Sequence, residues 1–366
     1  MTDSHWPSWL PLRPSLAPMS PYGAPQVAAD AALNTNENPY SLSAALTGAI
    51  ATKISMVAST LNRYPDRDAL SLRSALAAYI NEQSSTQFTA SQIWAANGSN
   101  EIIQSLFLAC GGQGAIGFIP SYSMHPLIAK VTSTNWIDGK RENDFSLDVE
   151  SVLNQIKKNP QGLTFLTTPN NPTGEAIKLG DIERIAQHVT GLLVVDEAYA
   201  EFSDEESAVT LIAQYPHVVV IRTMSKAFAF AGARVGYLVA HPSVIEAMLL
   251  VRLPYHLSTL TQGAALVALD FKDELLSGVR ELKAARERVA ASLQEMGLSV
   301  LPSQANFLLF TGFAHTSNEL WKLMLDRGIL IRDVGLSGYL RTTIGTTDEN
   351  NKFLSALQEC LVKERS

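Results

Sequence analysis

Cysteine is nearly absent: Cys110 and Cys360 are the only two in 366 residues, far apart and without the spacing of metal ligands. A disulfide framework and a structural zinc site are thereby excluded, and a reducing cytoplasm suits the chain. Basic runs are missing as well. With 28 Lys and Arg against 35 Asp and Glu, a net charge of -7, nothing favours nucleic acid or an anionic membrane surface as a partner. KAARERVAA, the densest basic stretch, reads as a solvated helix face. No apolar run is long enough to span a bilayer, and neither an internal repeat nor a low-complexity segment occurs. The opening MTDSHWPSWLPLRPSLAPMSPYGAP lacks the basic start and unbroken apolar centre of a signal peptide. Its prolines forbid a regular helix, so an extended arm is expected.

What is present is a large apolar fraction, 46%, enough for a sizeable core and more than one domain. From about residue 66 helical periodicity alternates with short apolar runs that end in turn residues: IWAAN, AIGFIP, LTFLTTP, GLLVVDEAY, HVVVIRTMS and VGYLVA. That alternation predicts an α/β domain around a mostly parallel, buried sheet with helices on both faces. After Pro254 the pattern changes. A helix around TLTQGAALVALD is followed by a long amphipathic one from Asp273 to Gly297, with Leu276, Val279, Leu282, Val289 and Leu293 on one face. Strand-like SVLPSQANFLLF, a helix around ELWKLMLDRG, strands ILIRD and YLRTTIG and a closing helix predict a smaller α+β domain. The expected division is an arm over 1–39, a large domain over 40–258 and a small one over 259–366.

Ligands of open α/β sheets sit at the carboxyl ends of strands, so polar residues just after the apolar runs matter most. Asp196 ends GLLVVDEAY, where an unpaired carboxylate is costly, so it needs a partner; a helix cap or a structural ion pair would also account for it. TTPNNPTG makes a rigid turn that projects Asn171 over the sheet edge. WAANGSNEIIQ reads as strand, glycine turn and helix, so the N–H groups of Ser99 and Asn100 can hold a phosphate. Lys226 follows HVVVIRTMS, with Thr223 and Ser225 before it and Arg234 after it. Each feature alone has an ordinary structural reading. Together they supply an amine, a carboxylate, a phosphate cradle and an arginine, which pyridoxal phosphate requires.

The order NGSNE, PSY, NPTG, DEAY, SK, R resembles the fold-type I aminotransferases of the aspartate aminotransferase superfamily over nearly the whole chain. More narrowly, LNTNENPY, NRYPD, PSYSMHP, TTPNNPTG, RTMSKAFAFAGARVGY, RLPYHLS, ILIRD and YLRTTIGT resemble the histidinol-phosphate aminotransferases. The resemblance implies that Lys226 holds the aldehyde of pyridoxal 5'-phosphate as an imine and moves the substrate proton. It also implies that Asp196 pairs with the ring nitrogen, that Tyr199 and Asn171 bond the ring oxygen, and that Tyr122 stacks on the ring. Ser99, Asn100, Thr223, Ser225, Arg234 and Tyr64 of a second subunit would hold the phosphate. Tyr22, Asn36, Asn171, Arg332, Arg341 and Tyr255 from the partner would meet the substrate, with no metal. The implied donor and acceptor are histidinol phosphate and 2-oxoglutarate, in a homodimer with shared active sites. Many relatives carry aspartate where Asn100 stands, a change that a backbone donor tolerates. His256 beside Tyr255 is read as a packing residue. An aromatic amino-acid aminotransferase is the nearest alternative, since phenyl and imidazole rings fit similar pockets. A decarboxylase of the same fold is a third reading. A cofactor-sensing transcription regulator would need a winged helix, and only the proline-rich arm precedes the fold.

Overall fold

The structure, a computed structural model, describes residues 6–21 and 23–362. Strand β1 (Ala31–Ala32) precedes a central sheet of seven strands. These are β2 (Ile93–Ala96), β3 (Ala115–Ile119), β4 (Trp136–Lys140), β5 (Leu163–Thr167), β6 (Leu192–Asp196), β7 (Val218–Thr223) and β8 (Gly236–Val239). Their order across the sheet is β2-β8-β7-β6-β5-β3-β4. Pairing is parallel from β4 through β7, while β8 is antiparallel to both of its neighbours, β7 and β2.

The apolar runs predicted as strands all appear as strands, because a sheet covered on both faces buries consecutive side chains. All six residues of β7 and all five of β5 are buried. One core cluster on one face gathers Trp94, Phe107, Phe165 and Ile221, and another on the opposite face takes Ile116, Leu166, Val195 and Val220. Strand β4, WIDGK, escaped the sequence reading. It is an edge strand with no fully apolar run, and only Gly139 in it is buried.

The C-terminal part forms a second sheet from β9 (Ser299–Val300), β10 (Phe307–Thr311) and β12 (Leu340–Thr343), antiparallel throughout in the order β12-β10-β9. SVLPSQANFLLF therefore supplies two strands around an irregular link. The long helix spans Lys272–Glu295 and buries Leu275, Val279, Leu282, Val289 and Leu293 together with Arg286. Leu275 rather than Leu276 occupies the first buried position, one residue before the predicted stripe. Strand β1 pairs in parallel with β11 (Ile329–Leu330), so residues 31–36 of the expected arm are built into this region rather than laid over it. Thr343 N donates to Leu33 O at 2.9 Å and fixes the join.

Alternation along the strand ends sorts polar residues to two faces. Asp196 and Thr223 face the cavity described below, whereas Glu197 and Arg222 turn away and form a buried ion pair of 2.8 Å. Arg222 also reaches Glu201 at 3.2 Å and Ser207 Oγ at 2.9 Å, and Glu197 accepts from Ala208 N at 2.7 Å. Removing one member of a buried pair strands the other in a medium that solvates it poorly. Arg222→Met is expected to lower the unfolding free energy by about 3–5 kcal/mol in urea titrations. A change within about 1 kcal/mol would show that the network is not what holds this side of the sheet edge.

Candidate active site

A cavity of about 640 Å³ opens where the carboxyl ends of the parallel strands meet the C-terminal sheet. Parallel pairing brings these ends to one edge, so residues remote in sequence line one wall: Ser99 after β2, Tyr122 after β3, Asn171 after β5, Asp196 of β6 and Lys226 after β7. Arg332 and Arg341 close the opposite wall. Antiparallel β8 begins at this same edge, which returns Arg234 to the pocket.

The start of the Ser99–Cys110 helix is built for close approach. Gly98, at its N-cap, has φ 81°, in the left-handed region that glycine enters without strain. A Cβ there would lie 2.7 Å from Arg234 Nη2. Gly236 would place a Cβ 2.6 Å from the Ser99 nitrogen. Two glycines thus let the helix start, Arg234 and the first residue of β8 crowd around one point. The first-turn N–H groups of a helix have no partners within it, and they carry partial positive charge. Thr223 Oγ1 donates to Ser225 Oγ at 3.0 Å, adding two hydroxyls nearby.

Lys226 extends into the cavity and donates from Nζ to Thr35 O at 3.1 Å, 6.0 Å from the centre of the Tyr199 ring. Burial, then the Arg341 guanidinium and, more weakly, Arg234, lower its pKa to about 8, with Glu37 pulling the other way. Asp196 is buried and its Oδ2 lies 3.1 Å from Nε2 of buried His125. That carboxylate is therefore oriented from behind. Tyr122 donates to Asn100 Oδ1 at 3.1 Å and meets the His125 ring edge-on. Asn36 Nδ2 donates to Tyr199 Oη at 2.9 Å.

Arg341 is buried and splits its fork. Nη1 donates to Asn171 Oδ1 at 2.5 Å and Nη2 to Asn34 O at 2.7 Å, with the guanidinium 5.2 Å from the Phe307 ring centre. Arg332 and Arg341 are joined by a two-bond antiparallel bridge, each N–H 2.9 Å from the other's carbonyl. This backbone bridge sets the two residues opposite one another at the cavity wall.

The structure thus brings together Ser99, Asn100, Tyr122, Asn171, Asp196, Tyr199, Thr223, Ser225, Lys226, Arg234, Asn36, Arg332 and Arg341. Tyr64 and Tyr255 do not line this cavity; they stack on each other at 4.4 Å on the exposed surface. Tyr22 lies outside the described residues. His256 packs on Trp94 and its Nε2 lies 2.9 Å from Ala95 O, a structural place. Sequence reasoning missed His125 and the backbone of Asn34 and Thr35. His125 stands inside PSYSMHP, three residues after Tyr122, and one helical turn there was the available signal. A carbonyl leaves no mark on side-chain identity, so no pattern could have picked out Asn34 and Thr35.

The family model described as "Aminotransferase class I and II" matches residues 31–357. The chain belongs to the class I and II aminotransferases. Within them, it is 54% identical over 351 residues to histidinol-phosphate aminotransferase of Mycobacterium sp. (strain JLS), covering 95% of this chain and 93% of that protein. Histidinol-phosphate aminotransferase of Corynebacterium glutamicum (strain R) is 52% identical over 355 residues, 96% of this chain and 97% of that protein. In fold the chain resembles the crystal structure of histidinol-phosphate aminotransferase from Sinorhizobium meliloti in complex with pyridoxal-5'-phosphate. That match has a TM-score of 0.81 at 23% identity and covers 93% of this chain and 92% of that one. The aminotransferase fold predicted from the motif order is thereby borne out.

An amine with a lowered pKa also costs stability, and the sign can be worked out. Lys226 has a folded pKa of about 8 against an ordinary 10.5, so the unfolded chain binds the extra proton between these values. The penalty is complete below pH 8 and fades as the pH rises toward 10.5. Lys226→Met in the cofactor-free protein is expected to gain about 2 kcal/mol at pH 7, and less at pH 10. Denaturation curves at the two pH values measure this. A gain that does not shrink with pH would mean that packing rather than charge sets it.

Proposed function

We propose that this chain transfers the amino group of L-histidinol phosphate to 2-oxoglutarate with pyridoxal 5'-phosphate, giving imidazole acetol phosphate and L-glutamate, a step of histidine biosynthesis. The observation that carries the reading is the bridged pair Arg332 and Arg341 facing Lys226, in a chain 52–54% identical to histidinol-phosphate aminotransferases over nearly all its length. An aromatic amino-acid donor is not favoured by those relatives.

The donor set suits the cofactor. A phosphate dianion suits the cavity beside the helix start at Ser99 and Asn100, where Gly98 and Gly236 let Arg234 and β8 pack close and the Thr223 and Ser225 hydroxyls lie nearby. Asp196, oriented by His125, would hold the ring nitrogen, Tyr199 and Asn171 the ring oxygen, and Tyr122 one ring face. When bound, the cofactor supplies an aldehyde for amines and a ring that draws electrons from the carbon bearing the amine.

Lys226 contributes the nucleophile and the proton carrier. Burial among guanidinium groups keeps a large share of its amine neutral near pH 8, so it can add to an aldehyde and later accept a proton at Nζ. Arg341, its fork already oriented by Asn171 and Asn34, takes the anionic group next to the reacting carbon. Arg332 adds a second cation, suiting a phosphate ester in one half-reaction and a dicarboxylate in the other. The domain division at about residue 259 separates cofactor-holding from arginine-bearing segments in this reading.

The active unit in this proposal is a homodimer in which Tyr64 and Tyr255 serve the neighbouring pocket. Tyr64 is 79% exposed, and Leu61, Leu250 and Leu253 are exposed large apolar residues of the same two segments. Such a cluster is what a covering subunit would bury.

Two measurements bear on these readings. Steady-state assays with 2-oxoglutarate should give a kcat/KM for histidinol phosphate at least about a hundredfold above that for phenylalanine or tyrosine; comparable values would sink the assignment. Lys226→Ala should lose transamination yet retain cofactor noncovalently, and mixing it with the inactive Tyr64→Ala/Tyr255→Ala double variant should restore activity. A mixture as inactive as its parts would refute sharing across subunits.

A further inference from the structure

Three carboxylates line the cavity: Glu37, Asp196 and Asp333. Each has at least one oxygen held by a neighbour. Asp196 faces His125, and Asp333 Oδ1 accepts from Gly335 N at 2.9 Å, which turns it into its own loop. Glu37 Oε2 accepts from Thr35 Oγ1 at 2.8 Å, while Oε1 accepts no hydrogen bond among the described residues.

The backbone that carries Glu37 is held in place. Thr35 O receives the Lys226 ammonium, Asn36 N donates to Thr343 Oγ1 at 3.0 Å, and Asn306 Nδ2 reaches the Glu37 carbonyl at 3.4 Å. An exposed carboxylate on a fixed segment thus stands at a cavity whose other charged lining groups include four cations, Lys226, Arg234, Arg332 and Arg341. The anionic group of a donor goes to the arginines. A carboxylate left over has nothing to offer a hydrocarbon ring, and it attracts a ring that carries an N–H donor.

We infer that Glu37 is a specificity-determining residue that accepts a hydrogen bond from the ring N–H of the amine donor and so selects imidazole over phenyl. This rests on the function proposed above and deepens it. The acceptor substrate has no such ring, and its two carboxylates are matched by Arg332 and Arg341, so Glu37 acts in one half-reaction only.

The test compares histidinol phosphate with 2-amino-3-phenylpropyl phosphate, which keeps the amine and the phosphate and replaces imidazole by phenyl. Losing a hydrogen bond to a charged group, Glu37→Ala should lower kcat/KM for histidinol phosphate about ten- to hundredfold. The phenyl analogue and the half-reaction with 2-oxoglutarate should change less than about threefold, the size of a surface substitution's effect. Glu37→Gln, which keeps an acceptor without the charge, should fall between wild type and Glu37→Ala. If both phosphates lose equally, Glu37 serves only as a counter-charge for Lys226 and the inference is overturned. An unchanged ratio in a folded, cofactor-loaded variant overturns it too. If the wild-type enzyme turns over neither phosphate, the proposed function itself fails, and this inference with it.

Discussion

A buried amine among three guanidinium groups is the electrostatic constraint around which this cavity is arranged. Lys226, Arg234, Arg332 and Arg341 share one cavity, and each makes the others' charges harder to keep. The lysine yields, because a guanidinium does not lose its proton in the accessible range. Its lowered pKa comes first from burial and then from Arg341 and, more weakly, Arg234, so the guanidinium groups add to what burial begins. Arg341 itself is kept in place by neutral partners, Asn171, the Asn34 carbonyl and the face of Phe307. Such partners orient a guanidinium without cancelling its charge, leaving it available to a ligand.

That arrangement needs rigid support, which comes from the sheet. Parallel strands deliver Tyr122, Asn171, Asp196 and Lys226 to one edge, and the reversal at β8 brings Arg234 back against Gly98. On the far side of the same strand ends, Arg222 pairs with both Glu197 and Glu201 out of water. A residue shift of one in β6 or β7 would exchange the two sets, placing the ion-pair residues in the cavity and the site residues in the core. Register in these two strands is therefore as much a part of the site as any side chain in it.

The alternation of apolar runs and helical periodicity made the α/β sheet legible, since a sheet covered on both faces demands consecutive apolar residues. The exception was β4, whose edge position removes that demand. Site residues that act through side chains were legible too: Lys226, Asp196, Asn171 and the helix start at Ser99 each follow an apolar run directly. Asn34 and Thr35 act through carbonyls, which every residue possesses, and His125 acts through Asp196. Those roles are properties of position alone.

The sequence by itself determined the cofactor chemistry, because an amine, a carboxylate, a phosphate cradle and an arginine at successive strand ends satisfy few other ligands. Only the tertiary structure decided which groups meet. Residues 31–36 join the C-terminal region, with β1 pairing β11 in a two-stranded sheet of their own and Leu33 bonded to Thr343 of β12, and from there they present one carbonyl to Lys226, another to Arg341, and the Asn36 amide to Tyr199. Contacts between segments 163 to 307 residues apart depend on how two sheets pack, and that is set by buried shape across the whole core rather than by any local run.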